Sequence, residues 1–196
     1  MTERRPYRLG KRSASVAATK IRILEAATTE FANNGIENTS MQSVARRADV
    51  AAGTVLYHYP TPNELVAATL EQWMELIDPP APSTIDATAP PNLRVRQLVR
   101  ALYDFYVRSG WAYQIYEKSP NNPIMAAARD DWDRSFEELM TVALGEHAAQ
   151  PDALRLISIF VDPAFHNLLL SRGLDQDEAV DLATMLALDR VPDIQN

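Results

Sequence analysis

Apolar residues recur every three or four positions in almost every segment of this 196-residue chain. No segment alternates between apolar and polar residues as a half-buried strand does. The first such run places Ala17, Ile21, Leu24, Thr28 and Phe31 on one face of a helix. No internal repeat is visible. The pattern predicts an all-α fold of about nine helices.

The composition excludes several classes of protein. Hydrophobic residues make up 46% of the chain and charged residues 23%, as in ordinary globular proteins. Without cysteine the chain has no disulfide, thiolate nucleophile or cysteine-based zinc site. The longest apolar run, Ile124 to Ala128, is far shorter than the roughly 20 residues that span a bilayer, and no secretory signal begins the sequence. We therefore expect a cytoplasmic protein.

Charge is distributed unevenly along the chain. The net charge is −7, but residues 1–59 hold nine basic and five acidic residues, a charge of +4. The remaining residues hold ten basic and twenty-one acidic side chains, a charge of −11. This asymmetry is typical of a protein whose N-terminal end meets a polyanion. The arm from Arg4 to Arg12 either contacts DNA backbone or a minor groove, or is a solvated tail.

Three short-range signals divide the N-terminal quarter into helices. The first helix is predicted to end near Asn34 and Gly35. Thr39 and Gln42 have the spacing of a capping box that begins a second, short helix. A tight turn at residues 49–51 separates it from a third helix, Ala52 to Tyr59. The side chains predicted to face inward are Met41, Val44, Ala45 and Ala48, then Val55, Leu56 and Tyr59.

A fourth helix and a linker follow. Thr61 and Glu64 form a second capping-box pattern with Pro62 at the first helical position, and Val66, Leu70, Trp73 and Ile77 form the buried stripe. Five prolines between Asp78 and Pro91 predict an irregular linker. The predicted divisions are an arm at 1–16, a helix-turn-helix domain at 17–60, a connecting helix at 61–77, the linker at 78–91, and a ligand-binding and dimerisation domain at 92–196.

The C-terminal half reads as further helices. One opens near Asn92 and breaks at Ser109 and Gly110, and a long one starts at Asn122 and Pro123. A later helix, Leu154 to Leu170, is predicted to kink at Pro163. Asp175 and Glu178 cap the last one.

The second and third helices have the spacing of a helix-turn-helix, whose second helix enters the DNA major groove. A pair of short helices that only pack together has the same spacing, and this alternative stays open at this point. The third helix carries no Asp or Glu that would repel phosphate. It is predicted to expose Ala51, Ala52, Gly53, Thr54, Tyr57 and His58.

Residues 17 to about 77 resemble the DNA-binding domain of the tetracycline-repressor (TetR) family. The resemblance covers about a third of the chain, and the order and spacing of its parts make it specific. The remaining two thirds resemble the family only in helix count and in two apolar C-terminal helices. The matching segments are Ile23 to Ala27 with Phe31 and Gly35, Thr39 to Ala45, Gly53 to Val55, His58 with Tyr59, and Glu64 with Leu65.

The resemblance implies roles for seven side chains in binding double-stranded DNA. Residues at the start of the second helix would meet phosphates, and those at the start of the third would face base edges. Residues at the end of the third helix would contact phosphates and flanking bases. In that order these are Ser40 and Gln42, then Ala52, Gly53 and Thr54, then Tyr57 and His58.

Three residues depart from the family pattern. Leu56 stands where a tyrosine is usual, Asp49 where the turn has glycine, and Pro62 where lysine is common. These changes bear on operator sequence and affinity. Leu56, Pro62 and the net charge of −7 also keep open a second candidate function, a helical small-molecule-binding or scaffold protein whose DNA-binding end no longer functions.

The resemblance also implies a homodimer, a small-molecule effector and no cofactor. Dimerisation would use the last two helices, Leu154 to Leu170 and Asp175 to Leu188, so that two recognition helices reach successive major grooves of a near-palindrome. Aromatic residues concentrate between Tyr103 and Phe136, and an apolar or aromatic effector would suit a pocket lined by them. The candidate lining is Trp111, Tyr113, Tyr116, Trp132 and Phe136.

Catalytic and metal-binding patterns are missing from the sequence. The three histidines are far apart, and Asp130 to Asp133 lack the glycine and final glutamate of a calcium loop. No phosphate loop, nucleophile elbow or HExxH pair occurs. We therefore predict a non-enzymatic, ligand-responsive transcriptional regulator that represses its target.

Overall fold

The computed structural model describes residues 7–119, 121–150 and 152–191, with the side chains of 7–13, 111–114 and 116–117 outside the description. These ranges contain nine α-helices, two 3₁₀ turns and no strand, which confirms the predicted all-α class. The helices are α1 (Tyr7–Asn34), α2 (Met41–Arg47), α3 (Ala52–His58), α4 (Pro62–Ile77), α5 (Pro91–Lys118), α6 (Pro123–Leu144), α7 (Ala153–Phe160), α8 (Pro163–Ser171) and α9 (Gln176–Arg190).

The helices form two compact units. The N-terminal unit contains the residues up to Leu76 together with Trp111–Ala126, and the C-terminal unit contains Ile77–Gly110 with the residues from Ala127 onward. Helices α5 and α6 therefore contribute residues to both units. The sequence pattern did not indicate that residues 111–126 join the unit formed by the first four helices.

The core of the N-terminal unit is built where α1 meets the three helices that follow it. Phe31, Val44, Val55 and Leu65 come from α1 to α4 in turn, and each is at most 3% exposed. The predicted inner face of α1 was wrong at Ala17 and Ile21, which are both exposed, while Ile23, Ala26 and Ala27 are buried. Both faces have helical spacing, so the spacing alone did not decide which one the later helices cover.

The start of α2 differs from the prediction by one residue. Ser40, not Thr39, is the N-cap, and its hydroxyl accepts a hydrogen bond from the Ser43 amide at 3.0 Å. Ser43 completes the capping box by accepting from the Ser40 amide. The Thr39 hydroxyl instead donates to the Gly35 carbonyl. The predicted pair Thr39 and Gln42 was therefore wrong, because a serine and a threonine in succession offered two registers for the same cap.

The cap of α4 was predicted correctly, and the linker only in part. The Thr61 hydroxyl accepts from the Glu64 amide at 3.2 Å and donates to the Glu64 carboxylate. Pro62 is the first residue of α4, as expected. The proline-rich segment holds one regular element after all, a 3₁₀ turn at Pro82–Thr84 followed by the buried Ile85.

Two predicted breaks in the C-terminal half have different outcomes. α5 runs without interruption through Ser109 and Gly110. One glycine costs a helix only about 1 kcal/mol, less than packing contributes, so the predicted break was wrong. At Pro163 the helix ends completely instead of kinking, since Asp162 accepts from the Ala164 amide and starts α8 anew.

The C-terminal unit buries the inner faces of α5, α6, α7 and α9 against one another. Leu102, Leu139, Ile157 and Ala183 are fully buried representatives of the four. The predicted caps of α6 and α9 are present: Asn122 accepts from two amides of the first turn of α6, and Asp175 forms a capping box with Glu178.

No single helix in the described ranges has the length and hydropathy to cross a membrane. Helices α7 and α8 have the required length and hydropathy only when taken together, and the chain bends by 40° between them. No group of three or more histidine or carboxylate side chains able to hold a metal ion occurs in the same part of the chain.

Candidate nucleic-acid interface

Four residues, Ala48 to Ala51, join α2 to α3. Asp49 adopts the left-handed conformation with φ +53°, which aspartate tolerates better than most residues, so the glycine usual in the family is not required here. The Val50 amide donates to the Ala45 carbonyl at 3.0 Å, and the Thr54 amide donates to the Ala51 carbonyl at 2.8 Å. These bonds close the turn and begin α3 directly after it.

Buried side chains hold α3 against the unit from one side. Val55 is 0% exposed and Tyr59, just after the helix, is 8% exposed. Burial raises the pKa of the Tyr59 hydroxyl above its ordinary value, so the ring stays neutral where it packs. Gly53, Leu56 and Tyr57 lie on the opposite side of α3 and are exposed.

The outward side of α3 carries the residues predicted to read DNA. Tyr57 is 81% exposed, and its ring meets the edge of the His58 ring with centroids 5.1 Å apart. Gly53 is also exposed, and a Cβ placed there meets nothing within 4 Å. Ala52, Thr54 and His58 are half-buried.

Leu56 corrects the prediction for α3. It was expected to face inward with Val55, but it is 46% exposed and lies on the same side as Gly53 and Tyr57. A seven-residue helix has too few turns for spacing to fix its inner face. Leu56 therefore joins the outward side of α3, and the sequence reasoning missed it as a candidate DNA contact.

Helix α2 presents polar groups beside its first turn. Ser40 and Gln42 are both exposed, as the predicted phosphate contacts require. Of the two arginines in the last turn, Arg47 is paired, because its Nε lies 2.6 Å from an oxygen of the mostly buried Glu30 carboxylate on α1. Arg46 is exposed in the same turn and is a second candidate that the sequence reasoning did not name.

The end of α1 is fixed by residues from the 111–126 segment. The Ile36 amide donates to the Ser119 hydroxyl at 2.9 Å, and Lys118 Nζ donates to the Ala32 carbonyl at 2.6 Å. A Cβ on Gly35, whose φ is +78°, would lie 3.0 Å from the Lys118 carbonyl oxygen. The helix supporting α2 and α3 is thus bonded to the last turn of α5 and the residue after it.

Known proteins match this arrangement. The family model described as bacterial regulatory proteins, tetR family, matches residues 23–69. The transcriptional repressor Rv3405c of Mycobacterium tuberculosis is 31% identical over 147 residues, which cover 72% of this chain and 73% of that protein. The transcriptional activator FasR of Mycolicibacterium smegmatis is 26% identical over 87% of this chain and 83% of its own.

The chain belongs to the TetR family. It is a helix-turn-helix transcriptional regulator, not an enzyme. A solved structure supports the fold over most of the chain: FadR from Bacillus subtilis, in complex with stearoyl-CoA, has a TM-score of 0.52 at 13% identity and covers 88% of this chain and 97% of its own.

In this TetR-family chain the predicted effector residues are only partly visible. The side chains of Trp111, Tyr113 and Tyr116 lie outside the described residues. Trp132 and Phe136 are half-buried on α6, and Trp132 stacks on Phe105 of α5 with ring centroids 4.9 Å apart. They pack against the core of the C-terminal unit, and the effector role of all five stays a prediction.

Two open grooves lie elsewhere in the C-terminal unit. One, of about 460 Å³, runs along α6 and includes Arg134, Glu137 and Thr141. The other, of about 410 Å³, lies between α7 and α8 and includes Ile159 and Phe165. Trp132 and Phe136 are not among the residues that line either groove.

The last helices combine buried inner faces with exposed apolar side chains. Ile159 on α7, Leu168 on α8 and Met185 on α9 are 51%, 47% and 57% exposed. Helix α9 is held to α5 by ion pairs of 2.6 Å from Arg96 to Asp181 and from Arg100 to Asp177. These helices therefore pack into the unit on one face while part of their apolar surface is exposed.

Proposed function

We propose that this protein is a homodimeric repressor in the bacterial cytoplasm that binds a near-palindromic DNA operator and is released by a small apolar or aromatic effector. The observation that carries the proposal is the outward side of α3. It exposes Gly53 and the ring of Tyr57, while Val55 and Tyr59 fix the helix from behind. Nothing in the fold requires that side to stay open, whereas a helix entering the major groove does.

We propose repression rather than activation because Rv3405c, which is 31% identical to this chain, is named a repressor. The other relative, FasR, is named an activator. The two signs differ in a reporter assay, because deletion of a repressor raises transcription from the operator and deletion of an activator lowers it.

Dimerisation is supported by the exposed apolar residues of α7, α8 and α9. A single helix-turn-helix makes few base contacts, so a regulator gains affinity and specificity by pairing two of them about 34–36 Å apart on the duplex. Leu168 and Met185 are candidates for the centre of the interface, because dimerisation would remove these half-exposed apolar side chains from water. Dimerisation through these helices repeats the same patch on both subunits.

Effector binding is supported by the aromatic cluster of α5 and α6. Phe105, Trp132 and Phe136 offer aromatic surface that is half-buried, and aromatic walls suit an apolar ligand. The solved regulator with the same fold was crystallised with stearoyl-CoA, so a long acyl thioester is a rational first probe. An effector shifts the repressor only if it binds the DNA-free state more tightly than the DNA-bound one.

The decisive experiment is selection of binding sites from a random duplex pool by the purified protein near physiological salt. This salt suppresses attraction to phosphate that is independent of sequence. We expect enrichment of a near-palindrome with half-sites one helical turn apart. Sedimentation of the protein alone and with the enriched duplex gives the number of subunits in each state.

A folded dimer that enriches no sequence would refute the repressor and support the second candidate function, a small-molecule-binding or scaffold protein. An enriched palindrome bound by a monomer would refute the dimer alone. Adding stearoyl-CoA and other apolar ligands to the complex tests the effector, and release of DNA by any of them supports it.

A further inference from the structure

The outward side of α3 is apolar along a single stripe. Positions 56 and 57 lie three and four residues after position 53, and all three residues are exposed, with half-buried Ala52 one helical turn before Leu56. Leu56 and Tyr57 are 46% and 81% exposed. The surface that a major groove would meet is therefore formed by a glycine, a leucine and a tyrosine ring.

This helix has none of the side chains that read purines in pairs. Guanine is read by Arg or Lys, and adenine by Asn or Gln, each through two hydrogen bonds in the major groove. The sequence Ala52 to His58 contains no such residue. Its hydrogen-bonding groups are the half-buried Thr54 and His58 and the hydroxyl of Tyr57. Base reading by α3 must therefore depend heavily on apolar contact.

One base offers an apolar group in the major groove. The C5 methyl of thymine projects there, while cytosine has a hydrogen at the same position and uracil lacks the methyl altogether. Leu56 is branched and 46% exposed, whereas Val55 and Tyr59 are the buried side chains that hold α3 in the core. A leucine so placed gains by covering a methyl group and gains nothing from a polar base edge.

We propose that Leu56 is a specificity-determining residue that contacts the C5 methyl of a thymine in each half-site of the operator. The proposal rests on the proposed DNA-binding function and names the chemistry that the recognition helix reads. It makes the operator half-site depend on a methyl group and not on a hydrogen-bonding pattern at that base pair.

The test uses the duplex enriched from the random pool, prepared with deoxyuridine in place of thymine at one position of both half-sites at a time. Uracil keeps every hydrogen bond of thymine, so only the methyl is removed. At the position that Leu56 contacts, we expect each lost methyl group to lower the affinity of the full-length dimer about fourfold. Substitution in both half-sites should then lower it about 15-fold. Fluorescence anisotropy of the labelled duplex measures the dissociation constant.

Leu56→Ala supplies the second arm. At the same position the variant should bind the thymine and uracil duplexes equally, because the side chain that covers the methyl is gone. Leu76→Ala is the matched control, since Leu76 is 68% exposed on α4 and its loss should leave the thymine preference intact. Thermal unfolding of both variants verifies that they fold.

The outcomes are distinguishable. Equal affinity of the native protein for all thymine and uracil duplexes overturns the proposal while leaving DNA binding established, and this arm does not depend on any variant folding. A thymine preference that persists in Leu56→Ala also overturns it. Failure to bind any duplex overturns the proposed function itself.

Discussion

The two units of this molecule differ in how their functional surfaces are made. In the N-terminal unit the surface is a short contiguous stretch, α2 to α3, whose shape is set by a cap, a turn and a few buried side chains. In the C-terminal unit the candidate surfaces gather residues from different helices, such as Phe105 of α5 with Trp132 of α6. Local sequence therefore specifies the first surface far more completely than the second.

Exposure follows the same division. The N-terminal unit leaves Tyr57 and Leu56 exposed on a helix that the buried Val55 holds in the core. In the C-terminal unit, two tyrosine hydroxyls of the aromatic region are hydrogen-bonded to backbone carbonyls. Tyr103 donates to the Phe160 carbonyl at 2.7 Å and Tyr106 to the Val161 carbonyl at 2.8 Å. These two bonds fix the positions of the Tyr103 and Tyr106 rings beside the aromatic cluster of α5 and α6.

The largest expected effect concerns the N-terminal surface alone. Thr54→Ala combined with Tyr57→Ala should lower operator affinity about a thousandfold, since each good base contact contributes roughly 1–3 kcal/mol and is lost in both half-sites. The stability of the fold should change little, because Tyr57 is 81% exposed. Anisotropy titration and thermal unfolding measure the two effects separately.

Val107→Ala is the control for this pair, because Val107 is 61% exposed in the C-terminal unit. It should leave operator affinity unchanged. Undiminished affinity of the double variant would contradict the assignment of α3 as the recognition helix.

The second largest effect concerns the stability of the C-terminal core. Leu102→Ala removes a fully buried side chain of α5 and should lower the free energy of unfolding by about 3 kcal/mol. Leu93→Ala on the same helix, where Leu93 is 44% exposed, should cost less than about 1 kcal/mol. Chemical denaturation followed by circular dichroism gives both values, and equal losses would place Leu102 outside the core.

Features that depend on neighbouring residues could be predicted from the sequence, whereas features that depend on contacts between helices could not. Caps at Thr61, Asn122 and Asp175 were readable because the donor and acceptor lie within three residues of each other. The register of the cap at Ser40 was missed because neighbouring hydroxyl groups competed for it. The exposure of Leu56 was missed because it depends on which neighbouring helices cover α3, and no local pattern contains that information.

Nonlocal contacts account for the remaining differences. Gly110 did not break α5, since packing of a long helix outweighs one unfavourable residue. The bonds from Ser119 to Ile36 and from Lys118 to Ala32 join residues more than 80 positions apart. Periodicity gives the faces of single helices but not their partners, so the membership of residues 111–126 in the N-terminal unit was invisible.

A smaller effect sharpens the comparison from the effector side. Trp132→Ala should abolish or weaken release of the operator by an apolar effector such as stearoyl-CoA, while operator affinity without effector stays unchanged. Loss of the stack on Phe105 should also lower stability by roughly 2 kcal/mol, because the ring is half-buried.

Trp132→Phe is the matched variant, since it retains an aromatic ring against Phe105. Retained release by Trp132→Phe with loss in Trp132→Ala would support a ligand wall. Normal release by a folded Trp132→Ala would assign Trp132 to packing only. The anisotropy assay with added effector distinguishes these results.

The smallest expected change in stability comes from Gly53→Ala, which should stabilise the fold and weaken operator binding. Gly53→Ala should raise the free energy of unfolding by up to about 1 kcal/mol, because alanine favours helix and its Cβ meets nothing within 4 Å. Operator affinity should nevertheless fall severalfold, since the added methyl stands on the stripe that α3 presents to the groove. Thermal unfolding and anisotropy on one preparation measure both. A variant that is more stable and binds equally well would show that the groove leaves room at position 53, and the DNA would then have to approach α3 nearer to Leu56 and Tyr57.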